Sequence, residues 1–177
     1  KYDLWSRYEP EVRGVMIAYA SVYGGTENAA NVLACRLAEQ GVQVKMFDVS
    51  VTPAPYVVSD AFKYSHLVFA SATYNMGIFV TMENLLHDIA AHALADRRYA
   101  LIENGTWSPA SGKKMDALLS PLKGWSAVEP VLTVKSALRP DQAAQMQRLA
   151  DAIAADVKAE QTEEDASGEG KHRYVCK

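Results

Sequence analysis

The chain has 177 residues, of which 49% are hydrophobic and 22% charged, with a formal net charge of −3 at pH 7. That balance fits one folded domain with a core covered on both faces. It excludes a disordered chain and a duplex nucleic-acid binder, which needs a basic stripe against the phosphates. No apolar run approaches the length of a membrane span, and two cysteines, Cys35 and Cys176, make no disulfide framework, so a cytoplasmic setting is expected.

Lys1 to Glu11 is polar and aromatic without periodicity and reads as an interdomain linker, with Trp5 or Tyr8 free to pack on a neighbour. The first residue is Lys rather than Met, which suggests a piece of a longer protein. Val12–Ser21 is β-branched and apolar on both faces, as a central parallel strand is. Asn28–Gln40 carries apolar residues among alanines and stops at Gly41, as a helix does; Cys35 in it is expected to be a small buried residue. Val42–Phe47 reads as a strand, His66–Ala72 as a third, Met82–Leu94 as a helix, Tyr99–Ile102 as a strand and Ser111–Leu119 as a helix. Val128–Val134 is the last strand, broken at Pro130, and Pro140 opens a long helix to about Lys158. Five strands alternating with helices predict an α/β domain over residues 12–158 with a parallel sheet. Residues 159–171 are acidic and poor in apolar side chains, the composition of a flexible tether, and the chain turns apolar again at Tyr174-Val175-Cys176.

Ligands of such sheets bind beyond the carboxyl ends of the strands, which directs attention to three loops. Ser21-Val22-Tyr23-Gly24-Gly25-Thr26 places two glycines and two hydroxyls where a helix begins, a geometry in which backbone amides hold an anion. It has neither the Gly-Lys-Ser/Thr ending of a triphosphate loop nor G-x-G-x-x-G, which favours one terminal phosphomonoester over a plain strand-to-helix turn. Ser71 to Phe79 combines hydroxyls, an amide, a glycine and aromatics, a mixture suited to a flat polar heterocycle or to a loop tucked over the core. Glu103-Asn104-Gly105-Thr106-Trp107-Ser108 makes a tight turn and then presents a tryptophan that either stacks on such a ring or caps the core.

Together S-x-Y-G-x-T, Thr73-x-Asn75-x-Gly77 and Asn104-Gly105-Thr106-Trp107 resemble the flavodoxin-like domain of flavodiiron proteins (A-type flavoproteins), from Tyr2-x-x-Trp5-Ser6 to about Lys158. The resemblance implies a doubly wound sheet of order 2-1-3-4-5 and non-covalent FMN. Ser21, Tyr23, Gly24, Gly25 and Thr26 would take the phosphate. Ala72, Thr73, Tyr74, Asn75 and Gly77 would flank the isoalloxazine, and Asn104, Gly105, Thr106 and Trp107 would close its other side. The chain departs from the family in its second loop, often proline-rich, where it has Ala72 and Val80. The diiron ligands are absent: His66, His87, His92 and His172 lack the spacing and read as surface or packing residues. The resemblance further implies an N-terminal diiron metallo-β-lactamase-like domain as partner and a homo-oligomer in the full-length protein.

His172-Arg173-Tyr174-Val175-Cys176-Lys177 resembles the opening of a rubredoxin, which makes Cys176 a candidate iron ligand in a longer chain, with a further cysteine expected three residues on. The expected activity is electron relay by FMN from a rubredoxin-type or other donor to a diiron oxygen or nitric oxide reductase site. The rivals are a free-standing flavodoxin, a flavin-dependent NAD(P)H:quinone oxidoreductase and a non-redox phosphate-binding module. Two further expectations attach to the second loop. A peptide within Asn75-Met76-Gly77 would reorient on reduction to accept a hydrogen bond from flavin N5, with Gly77 easing the turn. With Glu103 the lone carboxylate of the second and third loops, the reduced anion would meet little repulsion.

Overall fold

Val12–Ala20 (β1) is the spine of the molecule because its residues are apolar on both faces: Met16, Ala18 and Ala20 point into one core cluster, Val15 and Ile17 into the other. The computed structural model describes residues 7–106 and 108–167. In chain order it then gives α1 (Gly25–Glu39), β2 (Val44–Asp48), α2 (Ala54–Lys63), β3 (Tyr64–Tyr74), β4 (Gly77–Ile78) and α3 (Val80–Ala91). β5 (Arg98–Asn104), α4 (Ser111–Leu119), β6 (Ser126–Ala127), β7 (Leu132–Val134), a 3-10 turn at Pro140–Gln142 and α5 (Ala143–Ser167) follow.

The parallel sheet runs β2-β1-β3-β5, and both β6 and β7 lie beyond β5. Counting β6 and β7 as one interrupted fifth strand, this is the expected order 2-1-3-4-5. The interruption corrects the single strand expected over Val128–Val134. β6 pairs at Arg98 and Tyr99 and β7 at Ile102–Asn104, with Pro130 in the gap, where a residue lacking an N–H breaks the ladder. α1 and α5 cover one face, and α2, α3 and α4 the other. Each fully buried Leu or Ile in these layers is worth roughly 1.5–3 kcal/mol, so the two clusters are the main source of stability.

Three other expectations change. α2 matches no element expected from the sequence, yet it buries Val57, Val58 and Ala61 against β1 and β3. The tether expected from residue 159 is helical as far as Ser167, because Arg13 pairs with Glu160 (3.4 Å) and the Gln161 amide donates to the Arg13 carbonyl (3.1 Å). Cys35 is exposed on α1 rather than buried.

Two polar clusters fix the amino ends of the strands, away from the ligand loops. Arg97 is 1% exposed and spends its guanidinium on carbonyls: Ala61 (3.2 Å), Phe62 (2.8 Å), Tyr8 (2.6 Å), Ala95 and Asp96 (both 3.0 Å). Tyr8 also stacks on Phe62, so the end of the N-terminal segment packs on this domain itself. His66, also buried, bonds Ser65 Oγ through Nδ1 (2.8 Å) and Asp156 Oδ2 through Nε2 (3.0 Å), while Arg98 holds both Asp156 oxygens. His66 is thus the packing residue expected of it.

Candidate functional site

The carboxyl ends of β1, β3 and β5 lie side by side, with Ala20 paired to Ser71 and Ala72 to Asn104, so the three loops leave the sheet as neighbours. In the first, Gly24 adopts φ +82° and opens α1, and its N–H donates to Ser21 Oγ (3.0 Å). No side chain caps α1, so the N–H groups of its first turn face outward, as an anion site requires. Thr26 is buried beneath the turn, and Tyr23 is 98% exposed. Burial, then Glu27 and Asp48, raise the Tyr19 phenol above its ordinary pKa.

The loop after β3 is a tight hairpin: Thr73 pairs with Ile78 and Tyr74 with Gly77 across β3 and β4. Its two turn residues, Asn75 (φ 47°) and Met76 (φ 59°), are left-handed, as a type I′ turn demands. Gly77 is not, so in this conformation the turn's strain sits on Met76. Tyr74 is exposed and meets Phe79 edge-on. Beneath the hairpin, Thr73 Oγ1 accepts the Ala110 N–H (3.3 Å) and donates to Ser111 Oγ (3.2 Å), which in turn donates to the Ser71 carbonyl (3.2 Å).

The loop after β5 is bound to both others. A Cβ on Gly105 would lie 3.1 Å from Thr73 Oγ1. Asn104 donates through Nδ2 to the Ser136 carbonyl (2.8 Å) and accepts the Ser136 N–H (3.0 Å), and Thr106 Oγ1 lies 3.3 Å from Ser136 Oγ. The same Ser136 carbonyl would be 1.8 Å from a Cβ on Gly25, so that glycine is required by close approach. Glu103 is turned inward, accepting the Gly112 N–H (2.9 Å) and the Thr133 hydroxyl (2.7 Å). The site residues expected from the sequence therefore converge, except that Trp107 and Cys176, like Tyr2 and Trp5, lie outside the described residues. Sequence reading missed Ser111 and Ser136. The second follows the last strand, and the strand-end rule extended to a fourth loop points to it.

The sheet order, an uncapped helix opened by a left-handed glycine and neutral hydroxyl-rich loops define a doubly wound protein whose strand-end loops are suited to a phosphate-bearing ligand. Residues 17–166 match the family described as Flavodoxin, and the chain belongs to that family, whose cofactor, FMN, is also its own. Among solved structures, rubredoxin oxygen:oxidoreductase from Desulfovibrio gigas is similar at 23% identity and a TM-score of 0.84, over 89% of this chain and 39% of that one. The flavodiiron protein from Giardia intestinalis is similar at 18% and 0.79, over 89% and 40%. A flavodoxin from the domain Archaea is similar at 16% and 0.71, over 82% and 99%. At these identities the likeness shows the fold, and the chain spans about two fifths of the first two proteins. No curated protein sequence matches it. Among the described residues no helix is long and apolar enough to cross a membrane.

Proposed function

We propose that this chain is the FMN-carrying relay of a flavodiiron-type oxidoreductase, taking electrons from a rubredoxin-type or other donor and passing them to a diiron site on a metallo-β-lactamase-like domain. The observation that carries the FMN site is the convergence of the loops after β1, β3 and β5 through Gly25, Ser136, Asn104 and Thr73. The residues fit FMN: outward amides at the head of α1 suit a phosphomonoester, and uncharged hydroxyl, amide and aromatic groups suit the edge and faces of the ring. Ser21, Gly24, Gly25 and Thr26 would hold the phosphate, while the Thr73–Gly77 hairpin and Asn104–Thr106 would position the ring and exclude water from it. FMN supplies one- and two-electron chemistry; the protein sets orientation, charge and access. The flavodiiron placement is supported by the likeness to the D. gigas and Giardia proteins over 89% of this chain. A rubredoxin-like stretch at Tyr174-Val175-Cys176 supports the donor.

The second reading, a diffusing flavodoxin, is favoured by the fit to nearly all of the archaeal flavodoxin. The two part in an anaerobic experiment with the FMN-loaded chain. Reduced rubredoxin should reduce the flavin, and adding the metallo-β-lactamase-like diiron domain should reoxidise it when oxygen or nitric oxide is admitted. Reoxidation no faster with the diiron domain than without it would refute the relay. Rapid bleaching by NAD(P)H alone would support a quinone oxidoreductase instead.

A further inference from the structure

Lys114 stands in the first turn of α4 and has no part in the binding just described. Its Nζ lies 3.9 Å from the point where a side chain on Gly77 would begin, and the carbonyl oxygens of Tyr74 and Asn75 lie 3.4 and 4.0 Å from the same point. The ammonium therefore lies beside the turn of the β3–β4 hairpin. Among the described residues no carboxylate is ion-paired with it. The one carboxylate of the two ring-side loops, Glu103, is 8% exposed and spends both oxygens on Gly112 and Thr133. The charge shown at the hairpin turn is thus the Lys114 ammonium, although the chain as a whole carries −3.

We propose that Lys114 sets the flavin's reduction potential by holding this positive charge where reduction adds a negative one; the inference rests on the hairpin bordering FMN, as proposed above. Two electrons from an external reductant and one proton from solvent leave the site with one additional negative charge. An ammonium beside the hairpin in a partly solvated site would offset that charge, which would favour the reduced over the oxidised cofactor about tenfold. The neighbouring Lys113 on the same turn of α4 serves as the control.

The test is a spectroelectrochemical titration with dithionite, combined with dissociation constants for oxidised and reduced FMN. Lys114→Gln should leave oxidised FMN binding within about twofold and weaken binding of the reduced form about tenfold, which lowers the two-electron midpoint by about 30 mV. Lys114→Arg should restore the parent value, Lys113→Gln should leave it unchanged, and added salt should shrink the Lys114→Gln difference. An unchanged midpoint in Lys114→Gln overturns the inference while leaving the FMN site standing. Equal weakening of both redox forms also overturns it, since Lys114 would then only clamp the turn. Failure of the parent chain to take up FMN overturns the site and the inference together.

Discussion

The two adjacent glycines of the phosphate loop should fail for different reasons when replaced, and that difference tests the geometry of the loop. Gly24 needs its φ of +82°, but a Cβ there meets nothing within 4 Å. Alanine at 24 therefore costs only the left-handed penalty, about 1–2 kcal/mol, and asparagine, which tolerates that region, should recover much of it. Gly25 has the opposite problem. Its Cβ would sit 1.8 Å from the Ser136 carbonyl, so residues 135–137 must move and the two Asn104–Ser136 hydrogen bonds (2.8 and 3.0 Å) are put at risk. Overpacking of this kind costs about 1–3 kcal/mol and each lost hydrogen bond about 1 kcal/mol, against a helix-propensity gain of at most about 1 kcal/mol. A net loss of roughly 1–3 kcal/mol follows, with asparagine at 25 at least as harmful as alanine. Urea denaturation of the apoprotein and FMN titration by fluorescence quenching read both effects. A Gly25→Ala protein as stable as its parent and equally avid for FMN would refute the close approach; a Gly24→Asn protein no better than Gly24→Ala would refute the left-handed turn.

Arg97→Met strands the carbonyls of Ala61, Phe62, Tyr8, Ala95 and Asp96 and should cost about 3–5 kcal/mol in urea unfolding, with Arg97→Lys recovering only part because an ammonium cannot span that fork. Met76→Gly relieves the left-handed turn and should gain up to about 1 kcal/mol, although glycine's greater freedom in the unfolded chain offsets part of the gain; a loss would show that the Met76 side chain holds the hairpin. Stability should also fall in acid. Burial lowers the His66 pKa below 6.5 despite Asp156, so below pH 6.5 the unfolded chain binds the proton first and the stability present above that value is lost. Asp156 acts with the same sign at lower pH: burial would raise its carboxyl, but Arg98 and His66 hold it below 3.8, and that contribution disappears as it protonates. Glu160, raised above 4.5 by burial, works in the opposite sense near its own titration. His66→Gln should flatten the urea midpoint between about pH 7 and 5, and an unaltered slope there would remove His66 from the account.

The strands that place the site were legible because parallel strands covered on both faces read as continuous apolar runs, as in Met16–Ala20 and Leu67–Ala70. α2 was not. Pro53 and Pro55 read as loop and the Val57-Val58 pair favours strand, so the helix becomes visible only when Val57, Val58 and Ala61 find the core. The far end of α5 is hidden in the sequence for a related reason. Its charges resemble those of a tether, and only the contacts of Glu160 and Gln161 with Arg13, distant in sequence, reveal the helix. In the site, the loops followed from residue types at strand ends, since glycines and hydroxyls carry their local chemistry with them. What escaped was tertiary: Ser136 enters through the Asn104 amide, and the left-handed pair is Asn75-Met76, with no glycine in the turn positions to announce it. Gly77 drew attention because glycine usually marks such positions, but here it is the first residue of β4.

The most direct test of the account is an FMN titration of the apoprotein, run beside Gly24→Ala in the first loop, Tyr74→Ala in the second and Asn104→Ala in the third. One FMN per chain should bind with quenching of flavin fluorescence, and each substitution should weaken it, because the three loops form one site. Uptake that none of the three alters, or no uptake by the parent chain, would contradict the placement of the cofactor at the carboxyl ends of β1, β3 and β5.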